Sequence, residues 1–197
     1  MSSHPPLPAE LVPAWRYVLS ADFASHAQDR AASFVQLATL SADGFPANRT
    51  LTFRTFGDGG ELVFTTDLRS SKCDQISSNQ RCEACWYFAD ARVQWRLRGT
   101  LSVVGARSRK RQALREQVWA RLSESSRERF GWPAPGLLKA GAHRPAGKPI
   151  PTTPPASFGL LILTPERAER LDLRAAPNRH QRWSPLRGQW PVTELTP

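Results

Sequence analysis

Apolar and polar residues alternate along Ser33-Phe34-Val35-Gln36-Leu37-Ala38-Thr39-Leu40, the two-residue period of a strand with one covered face. The alternation stops at Ala42-Asp43-Gly44-Phe45-Pro46, a turn signal, and resumes from Ala47 to Phe56. Gly57-Asp58-Gly59-Gly60 then predicts a hairpin to Glu61–Thr66. A second antiparallel pair is predicted over Glu83–Phe88 and Arg92–Val104, joined about Ala89-Asp90-Ala91. The unbroken apolar run Phe158-Gly159-Leu160-Leu161-Ile162-Leu163 has the length of a buried strand. Short strands follow at Arg170–Leu173, His180–Trp183 and Gln189–Leu195. Helical spacing occurs in three places. Glu10–Asp29 puts Leu11, Trp15, Val18 and Leu19 on one face, Ser70–Asn79 is short, and Ser108–Leu122 turns Ala113, Val118 and Leu122 inward. Residues 1–8 read as a flexible proline-rich tail. Gly131–Ala156 is rich in proline and glycine, and its loop proper, 133–156, is expected to be ordered with a mobile centre around Ala142–Gly147. Many antiparallel strands with few helices predict one domain, mainly β with flanking helices, built on a β-barrel.

Composition narrows the classes. No apolar run approaches the roughly 18 residues of a membrane span, and the proline-bearing N-terminus lacks a basic patch with an apolar core, which predicts a cytoplasmic protein. The net charge of +10 raises nucleic-acid binding, since the stretch Arg92–Arg115 is basic without one acidic residue. Against that, no helix-turn-helix, zinc-finger or RRM-type signature is present, and a phosphorylated small ligand plus a solvated basic face accounts for the charge. Cys73, Cys82 and Cys85 contain one C-x-x-C, but a zinc site needs a second pair or nearby histidines, and His4, His26, His143 and His180 are scattered. No metal site is expected, and the cysteines read as small buried residues.

The chemistry concentrates between Arg49 and Gly99. Arg49-Thr50-Leu51-Thr52-Phe53-Arg54 carries two cations on one strand, Phe64-Thr65-Thr66 ends the next with paired threonines, and Ser70-Ser71-Lys72 opens a helix. Ser70 is placed to cap that helix, whose free N–H groups attract an anion, and Lys72 with Arg69 adds positive charge. A lysine in a first turn opposes the helix dipole unless an anion lies there. Arg49 and Arg54, five apart, face opposite sides of a strict pleat, so a shared ligand requires the strand to bend or sit at an edge. On the strand Val93–Arg98, Gln94, Arg96 and Arg98 face one way and Val93, Trp95 and Leu97 the other. Trp15, Trp119, Trp132 and Trp190 are candidates for interface anchors or for core.

These motifs, in this order, resemble the pyridoxamine 5'-phosphate oxidase family, the FMN-binding split barrels, best from about Gln36 to Leu101. The matching segments are Arg49…Arg54, Phe64-Thr65-Thr66-Asp67, Ser70-Ser71-Lys72 and Gln94…Gly99. The resemblance implies an FMN cofactor whose phosphate is held by Arg49, Thr66, Ser70 and Lys72. Ser71 and Arg54 are altered members of the motifs, and Thr50, Leu51 and Thr65 adjoin the same site. It also implies a homodimer in which Gln94 reaches the flavin ring from the partner, with Arg182 and His180 bordering the substrate. The departures fall on the substrate side. The family's substrate-phosphate residues after the barrel become Trp119, Ser123 and Arg127, and its C-terminal Arg-x-His-x-Arg becomes Asn178-Arg179-His180-Gln181-Arg182. The expected activity is therefore an FMN-dependent oxidoreductase of unassigned substrate with no named catalytic base. The alternatives are a genuine pyridoxamine 5'-phosphate oxidase or a flavin carrier or sensor without turnover.

Overall fold

The computed structural model describes residues 12–137 and 150–197. The tail at residues 1–8 and the loop centre at Ala142–Gly147 lie outside them, as do Glu10 and Leu11. Among the described residues eight strands form one antiparallel sheet: β1 (Phe34–Leu40), β2 (Pro46–Phe56), β3 (Leu62–Asp67), β4 (Arg81–Phe88), β5 (Val93–Val104), β6 (Phe158–Asp172), β7 (Arg179–Trp183) and β8 (Val192–Leu195). Their order is β3-β2-β1-β4-β5-β6-β7-β8, and a further β3–β6 pairing closes the first six into a barrel. Closure leaves no edge on that side.

The strand β6 is the hinge of this plan. The sequence predicts two strands, at Phe158–Leu163 and Arg170–Leu173, because Pro165 and three charged residues intervene. The structure has a single strand of 15 residues. Its first half pairs β3 from Asp67↔Phe158 to Leu62↔Leu163, and its second half pairs β7 from Ala168↔Trp183 onward. Pro165 falls between those two pairings, at a register shift opposite Arg98 and Gly99, where a missing N–H is tolerated. Gly99 is required at that bulge, since a Cβ there would overlap the Thr164 carbonyl oxygen. The unbroken apolar run of β6 follows from covering both faces. Leu161 and Leu163 point into the barrel core with Leu37, Phe64, Trp86 and Trp95. Phe158, Leu160 and Ile162 point outward beneath a helix, against Val118, Trp119 and Leu122.

Among the described residues four α-helices cover the barrel: α1 (Ala14–Ser25), α2 (Ser71–Ser78), α3 (Gln112–Ala120) and α4 (Glu124–Glu128). In α1, Trp15 and Leu19 are buried as expected, but Val18 is exposed. Asp22 docks this helix by accepting from Trp95 Nε1 (2.8 Å) and Arg170 Nε (2.8 Å). In α3 the inward positions are Arg115, Val118 and Trp119, followed by Leu122, whereas Ala113 is exposed. The i, i+3, i+4, i+7 spacing of those four is the helical stripe, and it contains an arginine. Arg115 is 1% exposed and donates to the carbonyls of Phe158 (3.0 Å) and Pro155 (2.6 Å), fastening α3 to the entry of β6. Trp15 and Trp119 are core rather than interface residues, and Trp132 is 36% exposed.

Candidate functional site

A cleft of about 380 Å³ opens where β2 and β3 meet the layer of α4 and the turn after it. Thr50, Leu51, Arg54, Thr65, Thr66 and Lys72 line one wall, all six anticipated from the sequence. Ser126, Arg129, Phe130 and Trp132 line the other. The second wall hangs on two hydrogen bonds: Ser157 Oγ donates to Phe130 O (2.8 Å), and Arg69 donates to Trp132 O (3.0 Å).

The donor set sits at the start of α2. Lys72 Nζ donates to Ser70 Oγ (2.7 Å) and more weakly toward Thr66 Oγ1 (3.4 Å). Burial holds its ammonium below the ordinary lysine value, the charge of Arg49 pushes the same way, and the charge of Asp67 opposes them without prevailing. Ser70 is 5% exposed, and its hydroxyl donates to Asp67 O (2.6 Å). The expected side-chain cap on α2 is therefore not made. The reason is local: the turn Asp67–Ser70 folds the hydroxyl back onto its own carbonyl. The first-turn N–H groups of α2 thus gain no side-chain acceptor from Ser70. Ser71 is exposed at the first helical position. Arg69 adds no free charge, because its guanidinium forks onto Asp67 (2.9 and 2.6 Å). That ion pair neutralises the one carboxylate lining the cleft.

The two strand arginines separate. A register shift between Phe53 and Thr55 places a bulge at Arg54, yet Arg49 keeps the inward parity of Leu51 and Phe53 while Arg54 faces the cleft. Arg49 lies beneath α2, donating to Thr39 Oγ1 (2.6 Å), Gln75 Oε1 (2.7 Å) and Leu37 O (3.3 Å). It reaches the site through its charge on Lys72 and does not line the cleft. Arg54 donates from Nε to Thr65 Oγ1 (3.4 Å), and burial followed by the charge of Arg129 pushes its guanidinium below the usual arginine range.

Gln94, His180 and Arg182 lie elsewhere on the chain. Register explains their grouping: Tyr87, Gln94, Leu171, His180 and Leu195 form one cross-strand row, and Arg96, Glu169 and Arg182 form the next. Gln94 and His180 line a second hollow of about 240 Å³ with Arg96 and Glu169. Glu169 is 3% exposed and accepts from Arg182 Nε (2.8 Å) and from Arg96, with His180 Nε2 at 3.6 Å. Burial acts to raise its carboxyl, but the bonds from Arg182 and Arg96 outweigh that and hold it below the usual carboxylate value. Of the substrate-side candidates, Arg127 belongs to α4 but does not line the cleft, and its Nε is buried without a hydrogen-bond partner. Trp119 is committed to the core and Ser123 caps α4, accepting from Ser126 N (3.3 Å).

Sequence reasoning missed Glu169, Arg129 and the Asp67–Arg69 pair. Glu169 sits in a run of charged residues that reads as a solvated face, and only the β5–β6–β7 register places cations on both sides of it. Arg129 lies in a polar helical stretch with no apolar stripe to orient it. Two of the three cysteines are as expected: Cys73 and Cys82 are buried, and burial pushes the Cys82 thiol up to about 12, whereas Cys85 is only half-buried. Among the described residues no cluster could hold a metal ion, and no helix is long and apolar enough to cross a membrane.

Residues 12–105 match the family model described as pyridoxamine 5'-phosphate oxidase, FMN-binding domain. The chain is 31% identical over 170 residues to pyridoxine/pyridoxamine 5'-phosphate oxidase 2 of Arabidopsis thaliana, covering 81% of this chain and 83% of that one. The crystal structure of a pyridoxamine 5'-phosphate oxidase-related, FMN binding protein from Nostoc punctiforme superposes with a TM-score of 0.88 at 33% identity, over 96% of this chain and 100% of that one. PhzG from Burkholderia lata, with a TM-score of 0.75 at 18% identity over 92% and 91%, shares the fold.

Proposed function

The chain belongs to the pyridoxamine 5'-phosphate oxidase-like family of FMN-binding proteins, and from that premise we propose that it is an FMN-dependent oxidoreductase working as a cytoplasmic homodimer. The observation that carries this reading is the cluster at the start of α2. Lys72 and Arg49 bring two positive charges together, and Asp67, whose charge also acts on Lys72, is bonded to Arg69. Ser70 and Thr66 hydroxyls orient the ammonium there. An unpaired half-buried cation is costly, and a phosphate accepted by Lys72 and the first N–H groups of α2 would offset that cost.

In this reading Lys72 and the turn Ser70–Ser71 hold the cofactor phosphate, and Arg49 stabilises it through charge. Thr50, Leu51, Thr65 and Thr66 form the wall along which the cofactor lies. When bound, FMN supplies hydride acceptance at its ring, and the protein's part is binding, orientation and exclusion of water. Gln94 and His180 then act on the partner's cleft, because within one chain they lie on a different face. The exposed Tyr87 on the Gln94 row favours that face as the contact between copies. Glu169 would hold Arg182 and His180 in place for that role.

An absorption spectrum of the purified protein tests the proposal, with heat-released cofactor identified by chromatography. Flavin bands and released FMN are expected, and R49A/K72A should abolish retention. A colourless chain that fails to take up added FMN would refute the reading. The Arabidopsis relative's name favours a second reading, oxidation of pyridoxamine 5'-phosphate itself. Asn178 in place of an arginine, and the structural commitments of Trp119 and Ser123, count against it. Oxygen uptake with that amine decides between them.

A further inference from the structure

Where an arginine is bonded in this fold a carboxylate commonly answers it, as Asp67 does Arg69, Asp22 does Arg170 and Glu169 does Arg182. Arg49 is held otherwise. Three neutral oxygens accept from it: Thr39 Oγ1, Gln75 Oε1 and Leu37 O. Burial pushes its guanidinium below the usual arginine range, and no carboxylate charge acts the other way.

Register and helix period build this arrangement. Leu37 pairs with Arg49 and Thr39 with Ala47, so Thr39 is the diagonal neighbour of Arg49 across the β1–β2 ladder. Gln75 stands three residues after Lys72 on α2, a spacing that puts both on one side of the helix. Gln75 Oε1 accepts from Arg49 Nη2 (2.7 Å) and from Thr39 Oγ1 (2.8 Å), and Arg49 Nη1 donates to the same threonine oxygen (2.6 Å). Side chains from β1, β2 and α2 thus close a triangle of hydrogen bonds beneath the helix whose start carries Lys72. Thr39 is 3% exposed, so the triangle is shut off from solvent on that side.

An amide oxygen does here what neither a carboxylate nor an apolar side chain can do. Glutamate would bond the guanidinium more strongly and cancel its charge. Methionine would leave the charge and strand a buried donor. Glutamine ties α2 to the barrel and leaves the charge in force, and that charge reaches Lys72.

We propose that Gln75 is a positioning residue of the anion site: with Thr39 it fixes Arg49 under α2 through neutral oxygens, so that the arginine's charge acts on a phosphate held at Lys72 and favours a phosphorylated flavin over riboflavin. That the phosphate belongs to FMN rests on the function proposed above, whereas the neutral tether stands on its own hydrogen bonds.

Fluorescence titration of the full chain with FMN and with riboflavin, beside urea melts of the flavin-free chain, tests this in Q75E and Q75M. Q75E keeps the side chain's shape. It should weaken FMN about fivefold or more, change riboflavin less than about twofold, and leave the urea midpoint no lower than the parent's. A side chain that merely packs would not move the ratio of the two affinities. Q75M keeps the Arg49 charge and loses the bond, so the urea midpoint should fall while FMN weakens less than in Q75E. The proposal is overturned if Q75E leaves FMN within about twofold of the parent, weakens both flavins alike, or unfolds the chain, since a carboxylate on Arg49 should hold the helix at least as firmly. It is overturned equally if Q75M weakens FMN as much as Q75E does. Should the chain bind neither flavin, the flavin reading fails, and calorimetric titration with ribose 5-phosphate against ribose still decides. A loss of about fivefold or more for the phosphate alone in Q75E would uphold the role of Gln75, and a smaller loss, or no binding by the parent, would overturn it.

Discussion

Replacing Lys72 by methionine should move affinity and stability in opposite directions. The ammonium is half-buried, its charge sits near that of Arg49, and its partners are two neutral hydroxyls. Without a bound anion it is a half-buried cation in no ion pair among the described residues, and the Asp67 carboxylate that acts on it is engaged by Arg69. Methionine keeps the stem and removes that charge. Ser70 still donates to Asp67 O, so no buried group is orphaned. The flavin-free chain should therefore be as stable as the parent or slightly more so. Binding should suffer: a charge-assisted hydrogen bond contributes about 1.5–3 kcal/mol, so the FMN Kd should rise about 10- to 150-fold. The pH dependence has a definite sign. Folding lowers the lysine value below 10.5, so between the lowered value and 10.5 the unfolded chain binds more protons at Lys72, and this residue's contribution to the stability of the flavin-free parent rises with pH there. FMN affinity falls over the same rise, because the ammonium is lost. Cys82, raised by burial to about 12, contributes a fall in stability above about pH 9 in both proteins, so the Lys72 slopes are read as the difference between parent and K72M. Fluorescence titration with FMN and urea melts from pH 7 to 10.5 measure them. An FMN Kd within about twofold of the parent, or a loss of more than about 2 kcal/mol in the flavin-free chain, would refute the anion-site role.

Other substitutions probe the frame. R115M removes the donor to the carbonyls of Pro155 and Phe158 and should cost about 2–4 kcal/mol in urea denaturation. A cost below about 0.5 kcal/mol would show that the clamp is dispensable. G99A forces a methyl against the Thr164 carbonyl at the β5–β6 bulge, and a loss of about 3 kcal/mol in thermal unfolding is expected. E169Q should destabilise by about 1–3 kcal/mol at pH 7, since Arg96 and Arg182 lose their counter-charge. The parent's Glu169 contribution is present above the ordinary carboxylate value of 4.5 and is lost as pH falls through its lowered folded value. Melts from pH 7 to 3 should show a step that E169Q lacks.

Much of this protein could be read from local pattern. The alternation in β1, β2, β4 and β5 predicts their faces because a half-covered strand repeats every two residues, and burial in those strands follows that period. The turn chemistry at Gly57–Gly60 predicts the β2–β3 hairpin, where Gly60 adopts φ +89°. The motif spacing brought Thr50, Leu51, Arg54, Thr65, Thr66 and Lys72 to one wall, since they lie on adjacent strands and the helix that follows them. Arg49 and Arg54 stand on opposite sides of β2, as their five-residue spacing predicts for an unbent strand, and the fold carries Arg49 under α2.

What the sequence determined by itself is thus what short-range geometry dictates: strand period, turns, and a cationic helix start near two strands. The tertiary structure alone decided that β6 runs unbroken through Pro165, that Arg115 belongs to a buried stripe, that Glu169 lies between Arg96 and Arg182, and that Arg129 faces Arg54. Each of these joins residues far apart in the chain. A charged side chain far from its partner in sequence looks the same whether it will face solvent or another charge. Only barrel closure and cross-strand register fix its neighbours, and with them the cost or gain of its burial.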